Sequence, residues 1–174
     1  LEMDIELIST GGTSKYLKER GLNVTDVSEV TNFPELMDGR LKTLHPKIHG
    51  GLLANRDNKN HCSSMKKHKI PEIDLLVVNL YPFEDAVQSE YNLSEIIENI
   101  DIGGPAMIRA GAKNYKYVSV LVDLVDYSSF LKELMDNCSC TSLCFRRDMA
   151  EIAFARTAEY DGLISQWMLK LSSN

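Results

Sequence analysis

Residues 73–80, with the sequence IDLLVVNL, form a nearly continuous apolar run. Such a run is typical of a central strand in a parallel sheet, because helices cover both faces of that strand. Shorter segments with strand character lie at 5–8, 23–27 and 118–122, and helical patterns separate them. This alternation predicts an α/β fold, a three-layer sandwich with a mainly parallel sheet.

The helical patterns are short in the first two thirds of the chain. A turn with the sequence TGGT precedes the first helix, for which Thr13 or Ser14 is the predicted N-cap and Gly21 the predicted end. The segment 28–56 has no regular pattern. Further helices are predicted at 62–69, 93–99 (with Asn92 or Ser94 near its start), 106–112 and 128–135.

A longer helix is predicted from 142 to 172. Apolar side chains recur there at helical spacing, which gives one stripe: Tyr160, Leu163, Ile164, Trp167, Met168 and Leu171. Such a stripe indicates packing on the core or on another subunit rather than a cofactor site.

Size and charge restrict the class of protein. The 174 residues suit a single domain, and the sequence shows no internal repeat and no linker. No apolar run approaches the roughly 18 residues that a membrane span needs. The net charge of −6 argues against a general nucleic-acid binder.

The four cysteines predict neither a disulfide framework nor a metal site. Cys138, Cys140 and Cys144 lie close together but lack paired C-x2-C motifs and a nearby histidine. We therefore expect no bound metal, and thiols that stay reduced in an intracellular compartment.

Basic residues are concentrated in two segments that contain or border glycines. Arg40, Lys42 and Lys47 lie in 40–49, Arg109, Lys113 and Lys116 lie in 103–118, and neither segment contains an acid. In an open α/β sheet, ligands bind beyond the carboxyl ends of the strands. A TGGT turn between a strand and a helix can bind phosphate through its N–H groups and hydroxyls, although a plain strand-to-helix turn has a similar sequence.

A second glycine pair follows Asp101 in the segment DIGGP. The two glycines allow a close approach of backbone N–H groups to an oxyanion. Asp101 is either a cap for the helix near Pro105 or a carboxylate that handles a proton, and composition does not separate these roles.

Four strings of residues resemble a known family. These are STGGT (9–13), VTNFPELMDGRLKTLHPKIHGGLLA (30–54), NLYPF (79–83) and IDIGGPAMIRAGAKN (100–114). In this order they resemble the IMP cyclohydrolase domain of the bifunctional purine biosynthesis protein. The segment FARTAEYD at 154–161 is similar as well, so the resemblance covers almost the whole chain.

The resemblance implies a fold like that of methylglyoxal synthase and closure of the purine six-membered ring. The substrate would be 5-formamidoimidazole-4-carboxamide ribotide, and the products inosine monophosphate (IMP) and water. It further implies a cytoplasmic homodimer that uses no metal or cofactor, binds a small nucleotide, and acts on neither nucleic acid nor membranes.

Roles for individual residues follow from the same resemblance. Asp101 would bind the carboxamide, and Lys113 with N–H groups near Gly103 would lie at the formyl oxygen. Lys42 and Tyr81 would act together in proton transfer, with the ammonium lowering the pKa of the phenol. Asn79 would orient the base or the tyrosine, and the remaining residues would bind phosphate or base: Thr10, Gly12, Thr13, Arg40 and Thr43. His45 is interpreted as a structural hydrogen-bonding residue.

Two parts of the family pattern have no counterpart in this sequence. The family places a strand and a helix, with a serine-rich turn and a lysine, ahead of STGGT, whereas only eight residues precede Ser9 here. The domain at 1–174 is therefore expected to lack its first strand and helix. The formyltransferase domain that follows in the family is also absent, and we expect it in the full-length protein.

Two other functions share this fold. One is a non-catalytic regulatory domain that binds a nucleotide, similar to the allosteric domain of carbamoyl phosphate synthetase, but it does not explain NLYPF together with IDIGG. The other is methylglyoxal synthase, which needs aspartates around its phosphate turn, and none lies within or directly after 10–13.

Overall fold

The structure, a computed structural model, describes residues 5–89 and 91–171. Backbone packing divides the chain into two compact units, residues 1–72 and 73–174. The predicted α/β class with parallel strands is confirmed, but the described strands form two separate parallel pairs, one in each unit. The assignment of 1–174 to one domain stays a prediction.

The N-terminal unit contains two strands and four α-helices among its described residues. In chain order these are β1 (Leu7–Ser9), α1 (Gly11–Glu19), β2 (Val24–Asp26), α2 (Val27–Thr31), α3 (Pro46–Leu53) and α4 (Lys59–His68), with a 3-10 helix at Met37–Gly39 between α2 and α3. Strand β1 pairs with β2 in parallel, with Leu7 opposite Val24, and α1 is the connection between them. The buried residues of this unit include Val24, Val27, Ile48 and Leu52.

Helix α1 begins earlier than predicted. Its N-cap is Thr10 and its first residue is Gly11, so the prediction that Thr13 or Ser14 caps it was wrong. Gly11 has a φ of +57°, which a glycine adopts without steric cost and which turns the chain from β1 into the helix. Gly21 directly follows the C-cap with a φ of +79°, which confirms its predicted role at the helix end.

Ser14 is buried on α1 and contacts the end of β2. Its hydroxyl donates to Asp26 Oδ1 at 2.7 Å, and Lys18 Nζ lies 2.5 Å from Asp26 Oδ2. These hydrogen bonds and the Lys18 charge lower the pKa of the Asp26 carboxyl. The carboxylate is therefore ionised at neutral pH and joins α1 to β2.

The segment 28–56 is more regular than predicted, since it contains the end of α2 and all of α3. Pro46 is at the start of α3, and the N-cap His45 accepts from the Lys47 N–H through Nδ1 at 3.1 Å. That bond confirms the structural role predicted for His45. Gly50 and Gly51 weaken the local helical signal, while burial of Ile48 and Leu52 stabilises the helix against that propensity.

The C-terminal unit contains two strands and five helices among its described residues. These are β3 (Leu75–Val77), α5 (Phe83–Gln88), α6 (Leu93–Glu98), α7 (Gly103–Lys113), β4 (Ser119–Leu121), α8 (Asp126–Asp136) and α9 (Leu143–Leu171). The predicted helices at 62–69, 93–99, 106–112, 128–135 and 142–172 are confirmed within a few residues, except that residue 172 lies outside the described residues. Helix α5 was not predicted.

Strand β3 is shorter than the apolar run that predicted it. It pairs with β4 in parallel, and backbone hydrogen bonds extend from the Asp74 carbonyl to the Val78 N–H. After Val78 a side chain replaces the backbone as the hydrogen-bond donor: Asn79 Nδ2 donates to the Val122 carbonyl at 3.2 Å. The apolar character of Leu80 reflects burial beyond the strand rather than a longer strand.

Helix α9 packs against α7 and β4. Tyr160 and Trp167 from its apolar stripe are buried, whereas Met168 and Leu171 are each 41% exposed. Near its start, Arg146 donates to the Tyr115 carbonyl at 3.0 Å, which joins α9 to the α7–β4 connection. No α-helix within the described ranges has the length and hydropathy of a membrane span.

The four cysteines are exposed and unpaired. Among residues 5–89 and 91–171, no group of three or more His, Cys, Asp or Glu side chains is placed to bind a metal ion.

Gly111 allows α7 to lie directly on the β3–β4 pair. A Cβ there would lie 2.7 Å from Val120 Cγ2 and 3.4 Å from Val118 Cγ1. We expect Gly111→Ala to lower the free energy of unfolding in urea by about 1–3 kcal/mol through overpacking. Gly162→Ala in α9 is the control, since no described atom outside the neighbouring backbone of its own helix lies within 4 Å of its added Cβ, and it should stabilise the protein by about 0.4–1 kcal/mol. A Gly111→Ala variant as stable as the wild type would contradict this packing.

The Asp26 interaction predicts a pH-dependent stability. The pKa of the Asp26 carboxyl is lower in the folded state than its ordinary value of 3.8. Its contribution to the free energy of unfolding is therefore complete above pH 3.8 and is lost as the pH falls through the folded-state pKa. Urea titrations should show that Asp26→Asn is less stable than the wild type at pH 7, with a difference that shrinks below about pH 4. A difference that stays constant down to pH 2 would contradict the lowered pKa.

Candidate active site

A cleft of about 370 Å³ opens in the N-terminal unit at the carboxyl ends of β1 and β2. The predicted residues Thr10 and Lys42 both line it. Its full lining is Thr10, Gly11, Asp26, Val27, Ser28, Phe33, Pro34, Glu35 and Lys42. The cleft thus lies at the edge of the parallel pair where α/β proteins bind ligands.

Lys42 lies beside the N-terminus of α1. Its Nζ is 3.8 Å from the position that a Cβ on Gly11 would occupy, so glycine at this position permits the close approach. Thr10 makes no side-chain hydrogen bond to the first turn of the helix. An ammonium group next to the amino end of a nine-residue helix favours an anionic ligand such as a phosphate.

The cleft also contains two carboxylates that sequence reasoning missed. Glu35 Oε1 lies 4.0 Å from Lys42 Nζ, and the Asp26 carboxylate is held by Ser14 and Lys18. Asp26 is the last residue of strand β2. Its position at the carboxyl end of a strand could have identified it as a candidate site residue. The mixed charge suits a ligand that carries hydroxyl groups as well as an anionic group.

The turn before Lys42 has an unusual backbone. Met37, Asp38 and Gly39 all have positive φ, of 56°, 55° and 91°. The φ of Gly39 favours glycine, and a Cβ there would lie 2.6 Å from Glu35 Oε1, the end of an exposed side chain that would have to move. The turn is followed by the exposed Arg40.

The other residues predicted to contact the phosphate or the base differ in their solvent exposure. Gly12 and Thr13 are exposed on the first turn of α1, whereas Thr43 is 9% exposed. Thr10 and Lys42 are therefore brought together in the cleft, and the contacts predicted for Gly12, Thr13, Arg40 and Thr43 stay predictions.

In the C-terminal unit, Asn79 is held in one orientation. Its Nδ2 donates to the Val122 carbonyl, and its Oδ1 accepts from the Tyr127 hydroxyl at 3.1 Å. Tyr127 was not predicted to contact a site residue, because no motif connects the start of α8 with NLYPF. Two residues after Asn79, Tyr81 is 66% exposed, so its phenol is accessible to a ligand.

Asp101 precedes Ile102, the N-cap of helix α7, and its side chain makes a capping hydrogen bond to the first turn of that helix. Its Oδ1 accepts from the Gly104 N–H at 2.9 Å, and its own N–H donates to the Tyr160 hydroxyl at 2.9 Å. No described residue donates a hydrogen bond to its other oxygen, Oδ2. The capping role is thus observed, and one carboxylate oxygen stays available for a ligand.

The glycine pair beside Asp101 has two different functions. Gly104 is buried, and a Cβ there would overlap the Asp101 carboxylate and lie 2.9 Å from Leu80 Cδ2. Gly103 begins α7, and within the described residues its N–H makes no hydrogen bond. The pair therefore permits the Asp101 cap and leaves one donor for an oxyanion.

Lys113 lies at the opposite end of α7 from Asp101. It is the last residue of an 11-residue helix, which places it roughly 15 Å from Gly103 along the axis. Lys113 is exposed, and its charge is favourable near the carboxyl end of the helix. Within one chain, the structure does not bring Lys113 to the Gly103 N–H.

Comparisons with known proteins identify the relatives of this chain. Residues 1–106 match the MGS-like domain family, and residues 111–174 match the family described as AICARFT/IMPCHase bienzyme. The chain is 60% identical over 167 residues to the Bifunctional purine biosynthesis protein PurH of Ruegeria sp. (strain TM1040). It is 59% identical over 164 residues to the protein of the same name from Paracoccus denitrificans (strain Pd 1222).

These matches cover 96% and 94% of this chain but only 32% and 31% of the two relatives. The chain therefore spans about a third of the length of the curated relatives it matches. A solved structure, titled Crystal structure of ForH, is similar with a TM-score of 0.78 and 32% identity. That similarity covers 93% of this chain and 84% of the ForH chain. The match over 106 residues and the similarity to ForH together show that the chain belongs to the family of MGS-like domains.

Proposed function

We propose that this chain is an IMP cyclohydrolase that closes the purine six-membered ring of 5-formamidoimidazole-4-carboxamide ribotide. In the reaction, the carboxamide nitrogen attacks the formyl carbon and forms the new C–N bond. The carboxamide nitrogen and the formamide nitrogen each lose one proton, the formyl oxygen leaves with these two hydrogens as water, and the ring C=N bond forms, which gives IMP.

One observation carries this proposal: the 60% identity to a PurH protein across 96% of the chain. The match of residues 111–174 to the AICARFT/IMPCHase bienzyme family supports the same function, since that description names two activities. We assign the cyclohydrolase activity to this chain. The formyltransferase activity belongs to the remaining two thirds of the relatives' length.

The N-terminal cleft supports binding of a nucleotide phosphate. The first turn of α1 provides N–H donors, and Thr10 lines the same space. Arg40, Gly12, Thr13 and Thr43 are proposed as further phosphate or base contacts. Asp26 and Glu35 add acceptors of the kind that bind sugar hydroxyl groups.

The C-terminal unit supports the ring-closing chemistry. Asp101 Oδ2 can accept a hydrogen bond from the carboxamide and orient its nitrogen for attack. The Gly103 N–H can stabilise the developing oxyanion. Tyr81 and Lys42 are proposed to transfer protons, which requires an accessible phenol, and Tyr81 is 66% exposed.

The position of Lys113 supports a homodimer. Since Lys113 and the Gly103 N–H lie at opposite ends of α7, they do not reach one formyl oxygen within one chain. We therefore propose that a second copy supplies Lys113, as in an isologous two-fold dimer. A cytoplasmic location stays a prediction from the sequence.

The proposed activity can be tested by incubating the chain with the formamido ribotide and following the ultraviolet absorbance of IMP. We expect the unmodified chain to form IMP. In Lys42→Ala, kcat should fall about 10²–10⁴-fold because a proton-transfer group is removed. Lys15→Ala is the matched control, since Lys15 is a highly exposed lysine on α1 that should not affect turnover.

Nucleotide binding without turnover would favour a regulatory domain, and formation of methylglyoxal from dihydroxyacetone phosphate would favour a lyase. Unchanged turnover in Lys42→Ala, Tyr81→Phe and Asp101→Asn would contradict the assigned roles.

The proposed dimer predicts complementation between inactive variants. Asp101→Asn keeps an oxygen for the Gly104 N–H and so should preserve the helix cap, while the negative charge is lost. Lys113→Ala changes an exposed residue at the other end of α7. After subunit exchange between the two inactive variants, about a quarter of wild-type activity should return, because half the dimers then contain one intact site. Recovery no greater than the sum of the separate variants would contradict a shared site.

A further inference from the structure

We propose that Tyr160 is a positioning residue for ring closure: its hydroxyl fixes the backbone of Asp101, and its ring fixes the segment that carries Tyr81. This inference rests on the proposed function. Tyr160 lies on α9, in the segment FARTAEYD to which the resemblance assigned no role, and within the apolar stripe that the sequence pattern assigned to packing.

The hydroxyl of Tyr160 makes a specific hydrogen bond. The side chain is 4% exposed, and its oxygen accepts from the Asp101 N–H at 2.9 Å. Burial raises the pKa of this phenol, so it stays neutral at physiological pH. A neutral hydroxyl accepts from an N–H without adding a negative charge next to the Asp101 carboxylate.

Asp101 is therefore held at two points. Its N–H donates to Tyr160, and its Oδ1 accepts from the Gly104 N–H. Two fixed points on one residue restrict both the backbone and the carboxylate, so that Oδ2 has a defined direction. Attack by an amide nitrogen depends strongly on such orientation, because the nucleophile is weak.

The ring of Tyr160 contacts the second functional segment. It packs edge-to-face on Phe83, with centroids 6.3 Å apart and an interplanar angle of 75°. Phe83 is 2% exposed, and Trp167 contacts it from the next turns of α9 at 5.5 Å. Since Phe83 follows Tyr81 by two residues, Tyr160 helps to fix the chain on both sides of the proposed chemistry.

Tyr160→Phe separates the hydroxyl from the ring. The phenylalanine ring preserves the contact with Phe83, while the Asp101 N–H loses its acceptor. We expect kcat for IMP formation to fall about 10- to 100-fold with KM little changed, because orientation rather than binding is lost. Hydrogen exchange measured by NMR should be faster at the Asp101 amide in the variant than in the wild type.

Tyr91→Phe is the matched control, because Tyr91 lies in the same unit and is 49% exposed. It should change neither kcat nor the exchange at Asp101. Assays at temperatures well below the melting transition of each variant separate a positioning effect from partial unfolding. An unchanged kcat in Tyr160→Phe, or a loss that follows the unfolded fraction, would overturn the inference.

The same experiments distinguish this inference from the proposed function. If the wild type forms no IMP, the proposed function fails, and the exchange rate alone decides whether Tyr160 holds Asp101. If the wild type is active and the kcat of Tyr160→Phe equals that of the wild type, only the role of Tyr160 fails, whatever the exchange rate at Asp101.

Discussion

The contact of helix α7 with the β3–β4 pair determines the geometry of the C-terminal unit. It depends on Gly111, because any larger residue would overlap Val120, and it leaves Ile108 fully buried. The first residue of the same helix provides the Gly103 N–H, and Asp101 caps it. A packing constraint at the end of α7 thus fixes where the proposed oxyanion donor and carboxylate lie at its start, since an α-helix is stiff over three turns.

Electrostatics in the N-terminal unit follow a different principle. There a lysine, two carboxylates and the amino end of α1 line one cleft, and the carboxylates would oppose a phosphate if they were free. Asp26 is occupied by Lys18 and Ser14, and Glu35 lies near Lys42. The internal pairing of Asp26 reduces its repulsion of an anion.

The sequence predicted the fold best where side-chain burial and local propensity agree. The parallel strands and most helices were predicted correctly, since the apolar runs and the apolar positions at helical spacing coincide with buried side chains. Helix α3 was missed because Gly50 and Gly51 weaken its pattern while burial of Ile48 and Leu52 stabilises it. The cap of α1 was misassigned because the positive φ of Gly11 starts the helix earlier, and the Ser14 hydroxyl is used by Asp26 instead.

Contacts between distant residues account for what the sequence did not predict about the candidate site. The resemblance identified Asp101, but composition alone left its role open between a helix cap and a reactive carboxylate. The structure shows that these roles use different oxygens, since Oδ1 caps α7 and no described residue donates a hydrogen bond to Oδ2. Tyr160 lies 59 residues away, and only the fold brings its hydroxyl to the Asp101 N–H. A residue classed as core by its helical spacing can therefore also orient a functional group, because burial is what makes its single hydrogen bond specific.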